Sequence, residues 1–109
     1  MRAIGRGGAA MLFMVIEHFR DRDAKAVYRR LRDAGRGVPE GLRYVDSWIE
    51  TNFDRCFQLM ECDDPLLLQD WVLFWGDLVT FEIVPVVPSA ATRALVERHL
   101  AAPGAGNPE

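Results

Sequence analysis

Hydrophobic residues occupy both parities of residues 11–18, Met-Leu-Phe-Met-Val-Ile-Glu-His, where a half-exposed strand would alternate with polar ones. Residues 81–87 behave similarly apart from Glu82. A strand that is apolar on both sides needs cover on both faces of its sheet. A chain of 109 residues covers two faces sparingly by itself, so the pattern points to a partner subunit.

Between these two strands the periodicity changes. Ala24, Val27, Tyr28, Leu31 and Ala34 recur at helical spacing, with Asp21-Arg22-Asp23 as the capping segment and Gly35 where a C-cap glycine belongs. Lys25, Arg29, Arg30 and Arg32 form a basic stripe on the rest of that helix, which reads as a solvated face. After a loop containing Pro39, residues 42–50 form a second strand with Leu42, Tyr44, Asp46, Trp48 and Glu50 at its even positions. Thr51-Asn52-Phe53-Asp54 reads as a hairpin turn that sets Glu50 opposite Arg55 and Trp48 opposite Phe57. The third strand runs over 55–62.

Asp63-Asp64-Pro65 starts a second helix and Gly76 stops it. Leu66, Leu67, Leu68, Trp71, Val72, Leu73, Phe74 and Trp75 cover nearly its whole circumference, where a surface helix needs a stripe roughly 100° wide. This helix must therefore touch something besides its own sheet. In the fourth strand, Pro85 cannot donate to a ladder, which places the strand at a sheet edge or beside a bulge. Ser89 caps a last helix over 90–100, packed through Leu95 and its neighbours. Residues 1–10 read as a flexible leader and 101–109 as a frayed tail, leaving one folded domain over 11–100.

The order β-α-β-β-α-β-α is α+β. Its first six elements are the βαββαβ arrangement of ferredoxin-like domains, one antiparallel sheet with two helices on one face, here with an extra C-terminal helix. In that topology the first and third strands are central.

A net charge of −3 argues against a nucleic-acid partner, which usually demands a strongly basic face. No apolar run approaches the roughly 20 residues that cross a bilayer, so no membrane role is expected. Cys56 and Cys62 share one strand, about 20 Å apart along it, beyond disulfide reach and without metal-site spacing. They read as two buried, free, non-catalytic thiols of a reducing, cytoplasmic setting. His18 and His99 lie in unrelated elements and make no metal motif, and Gly35-Arg36-Gly37 lacks the length and lysine of a phosphate loop. No cofactor or metal is expected.

The stretches Met-Leu-Phe-Met-Val-Ile-Glu (11–17), Pro-Glu-Gly-Leu-Arg-Tyr-Val-Asp-Ser-Trp (39–48), Arg-Cys-Phe-Gln-Leu-Met-Glu (55–61) and Phe-Glu-Ile-Val-Pro-Val (81–86) resemble the domain-of-unknown-function family 3303, a family of small uncharacterised bacterial proteins. The resemblance spans about 11–87 and implies a dimeric α/β barrel, in which two ferredoxin-like sheets pack face to face. It implies no activity.

The best polar constellation is the even face of the second strand. Tyr44 and Trp48 offer apolar walls, with Asp46 beside them and Gln58 and His18 as further polar contacts for a ligand. Asp46 and Glu50 lie about 13 Å apart, too far to act as one acid–base pair. The plainer reading makes Tyr44 and Trp48 dimer-interface anchors and His18 a strand-end histidine. Parity also intervenes. With Glu50 opposite Arg55, Gln58 falls on the sheet face opposite Tyr44 and Trp48, so either the register shifts by one residue or Gln58 belongs to the helix-covered core. The functional expectation is a homodimer, joined through the helix-free sheet face, that binds a small apolar ligand or regulates without catalysis. The alternative is a cofactor-independent enzyme of the antibiotic-biosynthesis-monooxygenase type, by analogy of fold. Residues 11–19 hold no Asn, which speaks against a haem-degrading subtype.

Overall fold

A computed structural model describes residues 10–101. The leader and tail expected from the sequence lie, but for residues 10 and 101, outside the described residues. Strand β1 (Met11–Phe19) is followed by helix α1 (Ala24–Ala34), strands β2 (Arg43–Ile49) and β3 (Arg55–Cys62), helix α2 (Leu66–Trp75), strand β4 (Val79–Val86) and helix α3 (Ser89–Ala101). The four strands form one antiparallel sheet in the order β2-β3-β1-β4, with β1 and β3 central.

Local chemistry explains the boundaries. The Asp23 carboxylate accepts from the Ala26 N–H at 3.1 Å at the start of α1, satisfying a donor that the first helical turn leaves unpaired. Gly35 ends the helix at φ 73° and returns its N–H to the Leu31 carbonyl. Asp64 accepts from the Leu66 N–H at the start of α2. The hairpin register is the expected one: Trp48 lies opposite Phe57, the Glu50 N–H bonds the Arg55 carbonyl, and their side chains pair at 2.6 Å. Pro85 stands on the edge strand β4, where no ladder bond is lost to it.

Both α1 and α2 cover the sheet face formed by Phe13, Val15, Glu17 and Phe19 of β1 and by Cys56, Gln58, Met60 and Cys62 of β3, all of them buried. Val27, Leu42, Leu68, Trp71, Trp75 and Val79 complete this core. Among the described residues no helix covers the opposite face, where Leu12, Met14, Ile16, Phe57 and Leu59 lie half-buried.

Two expectations need correction. A β-bulge at Val45 interrupts the β2–β3 ladder: Tyr44 pairs with Met60, whereas Asp46 pairs with Leu59. The extra residue reverses the side-chain parity of everything before it. Helix α3 does not pack through Leu95, which is 48% exposed, and none of its residues is buried. Its apolar residues are spread too widely around the helix for one docking stripe.

Candidate functional site

Parity puts Glu17, the only acidic side chain of β1, on the helix-covered face, where it is 7% exposed. Directly across the ladder stands Cys56, and Gln58, also buried, is the next residue of β3 on that face. Strand β2 adds Ser47 opposite Gln58 and Ile49 opposite Cys56. The helices roof this polar patch with Val27, Tyr28 and Leu31 from α1 and Trp71 and Trp75 from α2. They do not fill the space. A cavity of about 110 Å³ remains, and Arg36, from the loop after α1, lines it too.

That loop is held closely against α2. Gly37 has φ 69°, and a Cβ there would come within 2.3 Å of the Phe74 ring, so the position needs glycine for both conformation and space. The approach brings the Arg36 carbonyl into range of two indoles: Trp71 Nε1 donates to it at 2.9 Å and Trp75 Nε1 at 2.8 Å. A single acceptor thus satisfies two otherwise buried donors, as its two lone pairs permit. The Arg36 guanidinium lies over the Tyr44 ring, 3.7 Å from its centre. The end of α2 is fastened further. Arg30 donates to the Phe74 carbonyl at 2.8 Å and pairs with Asp77, and Arg20 donates to the Gly76 carbonyl at 3.0 Å.

The electrostatics follow from burial. Desolvation disfavours the charged carboxylate and pushes Glu17 up to about 7, against the weaker opposing pull of the Arg36 guanidinium and the Cys56 thiol. Burial, with the Glu17 charge next in size, pushes the Cys56 thiol up to about 12. Cys56 is therefore held as a neutral thiol near pH 7, with little of the reactive thiolate. Burial likewise raises the Tyr28 phenol. Gln58 is poorly served for a buried amide. Its Oε1 accepts from the Cys56 thiol at 3.9 Å, and its Nε2 donates to the Met60 sulfur at 3.4 Å. Both sulfur partners are weak, so the amide keeps unused hydrogen-bonding capacity towards the cavity. The site can exchange a proton near neutrality and offer donors and acceptors between aromatic walls.

Of the five residues expected to form a ligand site, the structure brings two to this place. Gln58 lines the cavity, and Tyr44 adjoins it through a 2.8 Å hydrogen bond between its hydroxyl and that of Ser47 and through the stacked Arg36. Asp46, Trp48 and His18 lie on the opposite, helix-free face. Asp46 accepts from the Ser47 N–H at 2.8 Å, Trp48 is 51% exposed opposite Phe57, and His18 is exposed opposite Arg55. The five do not converge, and the bulge at Val45 is the reason that Tyr44 and Trp48 part company. Sequence reasoning overlooked Glu17, Arg36, Trp71 and Trp75 as site residues. For Glu17 a signal was present: it is an acid at the same parity as Phe13, Val15 and Phe19. The position of Arg36 depends on loop geometry, which carries no periodic signal.

Among the described residues no cluster of three His, Cys, Asp or Glu side chains could hold a metal ion. No helix among them is long and apolar enough to cross a membrane. A family model described as a domain of unknown function (DUF3303) matches residues 11–100. No curated protein and no solved structure matches the chain.

Proposed function

The chain belongs to the domain-of-unknown-function family 3303, and from that premise we propose that it is a homodimeric protein that binds a small molecule in the cavity beneath α1 and α2. One observation carries the binding reading. Glu17 and Gln58, both buried and neither provided with a strong protein partner, face a cavity walled by Trp71 and Trp75. Buried polar groups are normally satisfied within the fold, and those left under-satisfied cost stability. A ligand that completes their hydrogen bonds accounts for them.

The dimer reading rests on the other face. Trp48 and Val84 are exposed there, beside half-buried Leu12, Met14, Ile16, Phe57 and Leu59. Burying about 800 Å² per partner makes a standard stable interface. The order β2-β3-β1-β4 with two helices on one face supports a ferredoxin-like fold, and two such sheets packed face to face would form the dimeric barrel. The two free, buried cysteines accord with a reducing, cytoplasmic setting.

An enzyme is the second reading, favoured by the value of about 7 at Glu17. A carboxyl poised near neutral pH can serve as a general acid or base. Native mass spectrometry of the purified protein tests both proposals. The expected result is twice the 12.3 kDa chain mass with a bound small molecule that Trp71→Phe or Glu17→Ala releases. A bare monomer at micromolar concentration overturns them. Conversion of the bound molecule by the native protein and not by Glu17→Gln selects the enzyme.

A further inference from the structure

We propose that the cavity's ligand is a small monocarboxylate anion, held by the Arg36 guanidinium and by hydrogen bonds from Glu17 and Gln58; this rests on the cavity being the binding site.

Arg36 brings a charge to the cavity that no carboxylate among the described residues pairs directly. Arg20, Arg22, Arg30, Arg32, Arg43 and Arg55 each have an ion-pair or carbonyl partner for their guanidinium, and Arg29, Arg93 and Arg98, which are in no salt bridge among the described residues, are exposed to water. Arg36 lines the cavity and, among the described residues, is in no salt bridge; its guanidinium lies instead on the Tyr44 ring. The carboxyl nearest in function, Glu17, is half neutral around pH 7 and so only partly balances it. An anionic guest supplies the missing counter-charge, and arginine suits a planar, two-oxygen anion.

Hydrogen bonding narrows the class. A protonated Glu17 donates one bond, the Gln58 amide can donate another, and the Ser47 hydroxyl, shared with Tyr44, stands beside them. Donors therefore predominate around a guest whose acceptors are two oxygens. A dianion would be poorly balanced by one guanidinium, whereas a monoanion is matched. The walls Phe19, Val27, Trp71 and Trp75 ask for an apolar tail. A dry cavity of roughly 150 Å³ admits benzene, so about 110 Å³ limits the guest to a short acid, with isobutyrate, which has as many heavy atoms as benzene, at the upper end.

A proton linkage follows. The groups facing Glu17 are Cys56 on β3, Tyr28 on α1, Arg36 on the following loop, Phe81 on β4 and the uncharged indoles of α2. Arg36 is the only cation among them, and Cys56 remains a neutral thiol. An arriving carboxylate and an ionised Glu17 repel each other, so the anion binds the protonated form. With Glu17 near 7, affinity should fall about tenfold between pH 6 and pH 8.

The test is a two-dimensional NMR titration of the full chain with isobutyrate, and in parallel with its neutral isostere isobutyramide, following the three indole N–H signals. Isobutyrate should shift the Trp71 and Trp75 signals and leave that of Trp48. It should bind at least tenfold more tightly than the amide and weaken about tenfold from pH 6 to pH 8. Glu17→Gln should abolish that pH dependence. Arg36→Gln should weaken isobutyrate at least tenfold without affecting the amide, and its spectrum reports whether the fold is kept; Arg36→Lys, which retains the charge, should recover part of the loss. Tighter binding of the amide, or affinity for the acid that rises with pH, overturns the anion proposal and leaves the cavity as a site. If neither compound moves the Trp71 and Trp75 signals, the proposal and the cavity reading fall together.

Discussion

On the helix-covered face of β1 stand Phe13, Val15, Glu17 and Phe19, each under a tenth exposed; on the opposite face stand Leu12, Met14, Ile16 and His18, none of them buried. The two sets are similar in hydrophobicity, yet their surroundings diverge. The covered face is complete within one chain apart from its cavity, and its one acid has been moved far from the usual carboxylate range. The free face holds His18, Asp46 and Glu82 at exposed positions and pairs its remaining charges, Glu50 with Arg55 and Arg43 with Glu61. Unusual chemistry thus accompanies the side that the chain closes by itself, where desolvation acts. The free side offers apolar area bordered by surface ion pairs.

Substituting a tryptophan on each side would test this contrast most severely. Trp71 is 1% exposed and packs against Phe81 with ring centres 5.8 Å apart. Trp71→Ala should cost about 3–5 kcal/mol in urea unfolding, the range for truncating a buried aromatic. Trp48→Ala should cost below about 1 kcal/mol at concentrations where the chain is monomeric, because the residue is half exposed. Equal losses would mean that the faces are not energetically distinct.

Next in size is the pH dependence of stability. Glu17 titrates at about 7 in the folded protein against an ordinary 4.5, so the folded state binds the extra proton between those values. Its contribution is fully present below about pH 4.5 and is lost as pH rises through about 7. Glu17→Gln should therefore be more stable than the native protein at pH 8, by on the order of 3 kcal/mol at most. That gap should close as the pH falls towards the ordinary carboxylate value. Denaturant midpoints across the range measure it, and a gap that widens on acidification would contradict the burial argument.

The smallest effect concerns the cysteines, both on the covered face. Cys56→Ala and Cys62→Ala should each cost about 1 kcal/mol, mainly a packing loss, to which Cys56→Ala adds the weak hydrogen bond from its thiol to Gln58. Native protein should resist a thiol reagent at both positions near pH 7, with labelling appearing only on unfolding.

Much of the fold was legible because its signals are local. Asp23 and Gly35 bracket α1, Asp64 and Gly76 bracket α2, and the Glu50–Arg55 pair sets the hairpin. The site was legible only in fragments. Strict alternation along 42–50 joined Tyr44, Asp46 and Trp48, and a single extra residue at Val45 undid that grouping. Bulges leave no periodic trace when both faces tolerate aromatic residues. Gln58 was assigned to the helix-covered core as one of two options, and that option holds. The undocked α3 was misread because Leu95, Val96 and Leu100 look like core residues, although a mere count of apolar side chains does not define a docking stripe.

The fastening of α2 has a thermodynamic corollary. Its C-terminal half is held by the Arg36 carbonyl through two indoles and by Arg30 and Arg20 through the last carbonyls, whereas Leu66 at its other end is 65% exposed. The tethered half is the one that walls the cavity. Displacing it would strand two indole N–H groups together, at about 1–3 kcal/mol each. The rotamers of Trp71 and Trp75 are thus selected during folding, before any guest arrives. Little conformational entropy is left to be lost from that wall, so a small molecule bound there would not have to order the surface that receives it.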